Sequence, residues 1–150
     1  MPIQTLDDIA AIRPLTTCPI SVDESLVTLQ DAARIARDGL AEIFGIKLNR
    51  VGGLTKAARM RDIALAHDIQ IYVMATGGSV LADTEAAIFA ATIPEHTCLG
   101  TWACQDMLTV DIAPDQGSRN QDGDLFVSDV AGHGIVPDEN LLGNPVAVYQ

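Results

Sequence analysis

The chain has 150 residues, of which 48% are hydrophobic, and it carries a formal net charge of −11 at pH 7. Its length and its mean hydropathy of +0.22 are typical of one globular domain with its own core, and they exclude a disordered tail. The acidic charge disfavours nucleic acid as a partner, because nucleic-acid binding needs a basic surface. No apolar run approaches the ~20 residues of a membrane helix, so we expect no membrane span.

The start of the chain and its cysteines indicate the cellular setting. The N-terminal stretch lacks a basic region followed by an apolar one, so no signal peptide is predicted. The cysteines, Cys18, Cys98 and Cys104, form no Cys-x-x-Cys pair and no even framework. We therefore expect a reducing, cytoplasmic location.

Taken in chain order, short apolar runs alternate with helical stripes over most of the sequence. Residues 5–13 form an amphipathic pattern typical of a helix, and Pro14 ends it before a short strand that includes Val22. Small residues recur at helical spacing from Leu29 up to Gly39, which suits a helix C-terminus. The next predicted elements are strands at 42–48, 69–74 and 98–101 and helices at 56–67 and 80–92.

The repeating pattern stops beyond Pro114. A polar turn region follows, and the run "LFVSDV" at 125–130 predicts a further strand. Residues 132–145 are predicted to form an ordered loop. We therefore divide the chain into a repeat unit at 1–113 and a C-terminal extension at 114–150.

The predicted strand ends are evenly spaced. Asp23, Lys47, Met74 and Trp102 lie at or just past the four ends, with gaps of 24, 27 and 28 residues. This spacing accommodates strand, helix and return, so it predicts a parallel α/β sheet with right-handed crossovers. A doubly wound sheet and a (β/α) barrel both fit, and since a complete barrel takes roughly 250 residues, four strands are half of one. In either architecture the chemistry belongs at the carboxyl ends of the strands.

Two carboxylates and a lysine are the first candidate site residues. Asp23 and Glu24 are oxygen donors of the kind that Mg²⁺ prefers, although "DES" also suits an acidic loop that caps the next helix. Lys47 ends an inner strand, where a charge is costly without a partner, and Glu24 on the neighbouring strand is the candidate partner. Burial lowers a lysine pKa and makes the amine a usable base; the structural alternative is a lysine that extends into solvent.

The ends of the third and fourth strands carry two further candidates. In "TGGS" at 76–79, backbone N–H groups are suited to hold a carboxylate, or Ser79 simply caps a helix after a tight turn. Trp102, the only tryptophan, suits a cationic ligand through cation–π attraction, or it is a core aromatic residue. The three histidines share no metal-ligand spacing.

The segments "PISVDES" at 19–25 and "GIKLNRVGGLTKA" at 45–57 resemble the enolase superfamily, and within it the mandelate racemase and muconate-lactonizing group. The resemblance implies a (β/α)₈ barrel with a capping domain made from both termini. It implies that Asp23 is the third Mg²⁺ ligand. It also implies that Lys47 is one half of an acid/base pair whose other half is a second lysine, and that Glu24 is the carboxylate beside Lys47. We take Lys47 and Glu24 as the catalytic candidates.

Several parts of this family pattern have no counterpart in the sequence. The second lysine, in a K-x-K on strand two, is missing, as are the first two metal ligands, on strands three and four. Met1-Pro2 stands where the Q-P of the strand-four E-Q-P motif would be, and 132–139 resembles the final segment that returns to the cap. We therefore expect the C-terminal half of a TIM-type barrel, completed by a missing N-terminal half or by a homo-oligomer, with the extension packing on barrel and cap.

The stretches at 72–87 and 101–107 resemble family members that act on hydroxyproline and proline-betaine substrates. This resemblance implies that Trp102 faces a cationic ring nitrogen, and we take Thr76 and Gly77 as further substrate-binding candidates. The implied chemistry is Mg²⁺-dependent abstraction of the proton α to a carboxylate. We expect dehydration of cis-3-hydroxy-L-proline; the alternatives are epimerisation of a proline or hydroxyproline betaine and a catalytically inactive barrel fragment.

Overall fold

Four short strands form one parallel sheet at the centre of the fold. The computed structural model of the chain describes residues 5–149, and the Met1-Pro2 dipeptide lies outside them. The strand order in the sheet follows the chain order and every neighbouring pair is parallel, which confirms the prediction from the spacing of the strand ends. The strands are β1 (Ser21–Val22), β2 (Ile43–Ile46), β3 (Gln70–Met74) and β4 (Cys98–Trp102).

Helices connect the strands, and local sequence signals explain where they begin and end. Thr5 and Thr28 each accept a hydrogen bond from the backbone N–H three residues further on, which forms a capping box at the start of the first two helices. Gly39 ends the second helix with a left-handed φ of 59°, which glycine adopts at no steric cost. The helices up to β4 are α1 (Leu6–Ile12), α2 (Leu29–Asp38), α3 (Leu48–Val51), α4 (Leu54–Ala66) and α5 (Val80–Ala90).

Helices cover one face of the sheet and enclose the core there. Phe44 and Ile46 of β2 and Ile71 and Val73 of β3 are fully buried on this face. Because strand side chains alternate between the two faces, the residues between them belong to the opposite face. We call that side the open face, and it carries Gly45, Tyr72 and Met74.

The connection between β2 and α4 differs from the prediction. The predicted strand extended to residue 48 and no helix was predicted before residue 56, but the connection contains the single turn of α3, which ends at Gly52 with a φ of 87°. α4 then begins at Leu54, two residues before the predicted start, because Gly53 with a φ of 99° serves as its N-cap. Two consecutive glycines therefore provide the sharp reversal between two helices.

The predicted strand at 125–130 is wrong. Only Leu125 of this run lies in a strand, in a hairpin of two-residue strands, β5 (Asn120–Gln121) and β6 (Asp124–Leu125). The rest of the apolar run has no paired strand among residues 5–149, and the carbonyl of Phe126 accepts a hydrogen bond from the Ser118 hydroxyl at 2.7 Å. Apolar composition indicated a strand here, but the segment lacks a neighbouring edge to pair with.

The C-terminal extension is mostly irregular and contacts α5. The Ser118 backbone N–H donates to the Thr84 hydroxyl at 2.8 Å. A short helix, α6 (Glu139–Leu142), lies inside the segment that was predicted to be a loop. Across the described part of the chain, no helix is both long enough and apolar enough to span a bilayer.

Candidate active site

Lys47 and Trp102 lie in one row across the carboxyl edge of the sheet. The register pairs Ile46 with Val73 and Met74 with Trp102. Lys47 follows Ile46 in an extended conformation, with φ −112° and ψ 114°, so it lies level with Met74. Alternation along the strands then places Lys47 and Trp102 on the open face.

Asp23 belongs to the same face and the same edge. The register pairs Val22 with Phe44, so the next residue, Asp23, lies level with Gly45. A Cβ atom placed on Gly45 would lie 3.6 Å from the Asp23 Cα, which shows how closely β1 and β2 approach there. Because Gly45 and Lys47 are two residues apart on one strand, Asp23 and Lys47 share the open face.

Two carboxylates and two cations form a cluster at this edge, which we call the rim cluster: Asp23, Glu24, Lys47 and Arg50. Lys47 Nζ lies 2.8 Å from Asp23 Oδ2 and 3.3 Å from Glu24 Oε1. Arg50 donates from Nη1 to Asp23 Oδ1 and from Nη2 to Glu24 Oε1, the latter at 3.0 Å. Each cation therefore contacts both acids, which holds the ends of β1 and β2 together.

The short helix α3 explains how one sequence segment supplies both cations. The carbonyl oxygen of Lys47 accepts hydrogen bonds from Arg50 N at 3.0 Å and from Val51 N at 3.1 Å, so the chain turns immediately after the lysine. Residues three apart in a helical turn lie on the same side. Arg50 is therefore brought back beside Lys47, a position that the sequence analysis did not assign to it.

The structure separates the alternatives for these residues. Lys47 does not extend into solvent, since its side chain is only 11% exposed. The predicted contact between Lys47 and Glu24 is present, but Asp23 is the closer partner. The acidic loop does not cap the following helix, because Thr28 caps α2.

The titration of the Asp23 carboxyl group is shifted. Partial burial raises the pKa of its carboxyl group, but the hydrogen bonds and positive charges of Lys47 and Arg50 outweigh burial, so the pKa is lowered below its usual value. The carboxylate is thus held in its ionised form, which is the form that binds cations.

The "TGGS" turn after β3 contains Thr76 and Gly77. Thr76 Oγ1 donates to Asn49 Oδ1 at 2.7 Å, which joins the β3 end to α3. Ser79 is the N-cap of α5 and accepts from Leu81 N at 3.3 Å, as one interpretation of the sequence predicted. A small cavity of about 50 Å³ lies beside Thr76, with Met74 in its lining, so this part of the edge has room for a small group.

Trp102 is the last residue of β4 and is 40% exposed, so it is not a core aromatic residue. Its backbone carbonyl accepts a hydrogen bond from Ala75 N at 3.1 Å, which fixes the main chain next to β3. The indole is therefore available to a ligand at the edge that also carries the rim cluster.

A buried carboxylate stands behind the end of β4. Asp83 of α5 is fully buried, and its Oδ2 accepts hydrogen bonds from Cys104 N at 2.9 Å and from Gln105 N at 2.6 Å. Burial, then the nearby Asp83 charge and hydrogen bond, raise the pKa of the Cys104 thiol, and hydrogen bonds from the glycines of the "TGGS" turn offset this only in part. No pattern in the sequence indicates that this acidic residue is buried.

The donor chemistry of the rim cluster fits Mg²⁺, but the set of ligands is incomplete. Asp23 and Glu24 offer carboxylate oxygens, which this ion prefers. Among residues 5–149, no group of three or more His, Cys, Asp or Glu side chains is placed to hold a metal ion. Further ligands would therefore have to come from outside the described part of the chain.

The fold and the cluster together define a class of protein. A parallel (β/α) unit with a carboxylate–lysine cluster at its carboxyl edge has the arrangement that (β/α) barrel enzymes use to place chemistry at strand ends. Residues 1–141 match the family described as enolase C-terminal domain-like, and the chain belongs to this family.

Individual relatives support this assignment and show how much of a barrel is present. A cis-3-hydroxy-L-proline dehydratase of Roseibium aggregatum is 31% identical over 148 residues, which are 99% of this chain and 40% of the relative. A Silicibacter pomeroyi protein described as a mandelate racemase/muconate lactonizing enzyme superposes with a TM-score of 0.94 at 72% identity, over 97% of this chain and 40% of its own.

A third relative carries a metal ion. It is a member of the enolase superfamily from Roseovarius nubinhibens, solved with magnesium, with 40% identity and a TM-score of 0.94 over 99% of this chain and 40% of its own. The chain thus spans about two fifths of the length of these relatives. The predicted fold class is confirmed: the chain is the C-terminal part of the barrel.

Proposed function

We propose that this chain is the C-terminal part of a Mg²⁺-dependent enzyme that abstracts the proton α to a carboxylate and dehydrates cis-3-hydroxy-L-proline. The observation that carries the proposal is the geometry of the rim cluster, where a largely buried Lys47 lies 2.8 Å from the Asp23 carboxylate at the carboxyl edge. The dehydratase relative, at 31% identity, supports the choice of substrate.

In this proposal Asp23 is a metal ligand, and its contacts with Lys47 and Arg50 hold it in place. A Mg²⁺ ion bound by Asp23 would supply stabilisation of the negative charge that develops on the substrate carboxylate when the α-proton leaves. The lowered pKa of Asp23 keeps its oxygens ionised for that role. Arg50 contacts both acids, so it keeps them from repelling each other when Lys47 turns to the substrate.

Lys47 is one member of the acid/base pair. Its Nζ donates to Asp23 and Glu24. As an ammonium group Lys47 would deliver a proton, for example to a departing hydroxyl, and as a free amine it would accept one. Glu24, with a 75% exposed side chain, is placed to exchange protons with Lys47 and solvent.

The other end of the edge would bind the substrate. Trp102 offers an indole face to a ring ammonium, a contact worth ~0.5–2 kcal/mol. Thr76 lines the small cavity at the β3 end, and Gly77 follows it in the turn. Both would contact the substrate carboxylate or a ring hydroxyl. Lys47 and Trp102 lie on either side of Met74 in one row, so a small amino acid or betaine spans the gap between them.

The remainder of the barrel is part of the same proposal. Within residues 5–149, β1 and β4 are the two edges of the sheet. The unpaired backbone N–H and C=O groups of an edge strand can pair with a further strand. A preceding barrel segment would supply such strands together with the second lysine and the other metal ligands, whereas a second copy of the chain would supply strands only. The extension at 114–150 would pack on the barrel and its cap, in a cytoplasmic enzyme.

A hybrid protein tests this proposal. In the hybrid, the chain replaces the matching part of the Silicibacter pomeroyi protein, to which it is 72% identical. With Mg²⁺ and cis-3-hydroxy-L-proline in D₂O, we expect loss of the hydroxyl and formation of the cyclic imine. α-Deuterium exchange of proline betaine or hydroxyproline betaine without loss of a hydroxyl would favour the epimerase alternative. No reaction with either substrate class, in a folded hybrid that binds Mg²⁺, would contradict the proposal.

A further inference from the structure

We propose that Asp83 is a positioning residue that fixes Trp102 at the carboxyl edge of the sheet. Trp102 matters for ligand binding only through the proposed function, so the meaning of this role rests on that proposal. The placement itself rests on the contacts of the Asp83 carboxylate, which can be tested separately.

The Asp83 carboxylate is committed to the chain just beyond Trp102. Its side chain is fully buried, and Oδ2 accepts from two successive backbone N–H groups, those of Cys104 at 2.9 Å and Gln105 at 2.6 Å. Oδ1 lies 3.5 Å from Cys104 Sγ. A buried carboxylate is unfavourable unless it is hydrogen-bonded, so these three contacts account for its presence in the interior.

Trp102 is consequently held from two sides. Its own carbonyl accepts from Ala75 N at 3.1 Å, which ties it to the end of β3. Two and three residues later, the backbone is tied to Asp83 on α5. With both sides fixed, the short segment between them has little freedom, and the half-exposed indole keeps one orientation without packing into a core.

The "TGGS" turn packs next to the contact between Asp83 and the chain after β4. Gly78 lies so close to α5 that a Cβ atom there would come within 2.4 Å of the Ala82 Cβ, so the turn sits directly on the helix. Cys104 Sγ lies 3.9 Å from the Gly78 carbonyl oxygen. Asp83 therefore links α5 to the β3 turn and the β4 end, the two parts that carry the substrate-binding candidates.

Position 84 offers a matched control on the same helix. Thr84 is also buried, and its hydroxyl also accepts one backbone N–H, that of Ser118 at 2.8 Å. Loss of this acceptor affects the extension and not the end of β4. If Asp83 acts only as a generic stabiliser of α5, then T84V and D83A should have the same consequences.

The experiment compares the wild-type chain with D83A, D83N and T84V. Trp102 is the only tryptophan, so its emission and its quenching by acrylamide report on this position alone. In D83A we expect the indole emission to shift to the red and to be quenched more easily. We also expect hydrogen exchange of the Cys104 and Gln105 amides to be faster by at least about tenfold. D83N keeps an acceptor oxygen and should restore both signals, and T84V should leave both unchanged.

The outcomes are distinct. Wild-type signals in a folded D83A, or the same changes in T84V, would overturn the proposal. If D83A fails to fold, D83N decides: protected Cys104 and Gln105 amides support the proposal, and unprotected amides in a folded D83N overturn it.

Failure of the proposed function gives a different pattern. In the hybrid, D83A should raise KM for cis-3-hydroxy-L-proline more than it lowers kcat, and D83N should restore KM. If the hybrid neither binds nor converts this probe while the fluorescence and exchange results hold, the positioning role stands and the proposed substrate fails.

Discussion

The two halves of the carboxyl edge are built in different ways. At the ends of β1 and β2, four charged side chains contact one another directly in the rim cluster. At the ends of β3 and β4, the contacts are hydrogen bonds of backbone groups and neutral side chains, with a single buried carboxylate behind them. The first half is held by ion pairs, and the second half by hydrogen bonds that position largely uncharged groups. This difference matches a division between proton transfer and substrate binding.

The strongest effect should follow from removing the proton-transfer group of the charged half. We expect K47A in the hybrid to lower turnover by ~10²–10⁴-fold, because that is the usual contribution of general acid–base catalysis. K47R is the matched variant: it keeps a cation for Asp23 and Glu24 but cannot exchange a proton readily. K47R should be as stable as wild type and as inactive as K47A. A K47R variant with normal turnover would show that Lys47 takes no part in the chemistry.

Metal binding should depend on the charged half alone. We expect D23N in the hybrid to weaken Mg²⁺ binding by at least about tenfold, because an amide oxygen is a poorer ligand for a hard cation than a carboxylate. Calorimetric titration with Mg²⁺ measures this directly. T76V, at the uncharged half, is the control and should bind Mg²⁺ as wild type does. Equal affinities for wild type and D23N would show that Asp23 is not a ligand.

The uncharged half should affect substrate affinity with little effect on the chemical step. W102L removes the indole face, and loss of a cation–π contact corresponds to about a 2- to 30-fold rise in KM with nearly constant kcat. W102F keeps an aromatic face and should show a smaller rise. Steady-state kinetics with cis-3-hydroxy-L-proline provide the comparison; a loss confined to kcat would place Trp102 in the chemical step instead.

The smallest effect concerns stability and pH. The pKa of Asp23 is lowered in the folded chain, so its ionised form stabilises the fold at pH values above its unfolded pKa of about 4. That contribution is lost as pH falls through the lower folded pKa. Urea unfolding of wild type and D23N without metal should therefore show a stability difference that is constant near neutral pH and shrinks in acid. A difference that grows on acidification would reverse the assigned direction.

The contrast between the halves also explains what the sequence could predict. Asp23 and Lys47 are charged residues at the ends of apolar strands, and such charged positions can be recognised in the sequence. Parallel pairing of the strands then brings them to one edge. The regular alternation of strands and helices up to β4 was also predictable, because burial imposes a periodic pattern of apolar residues on the sequence.

The parts that were missed depend on contacts between distant segments. Arg50 joins the cluster only because α3 turns the chain back after Lys47, and no helix was predicted between residues 48 and 56. Asp83 looks like an ordinary first-turn acidic residue of α5, and its burial depends on the chain 21 residues later. The apolar run at 125–130 carried the composition of a strand but has no paired neighbour among the described residues.

A crystal structure of the hybrid with Mg²⁺ and cis-3-hydroxy-L-proline would test the central claim most directly. We expect Asp23 on the metal ion, the Lys47 amine facing the α-carbon of the substrate, and the Trp102 indole against the ring nitrogen, all at one edge of the sheet. A substrate bound elsewhere, or a Lys47 side chain directed to the helix-covered face, would contradict it.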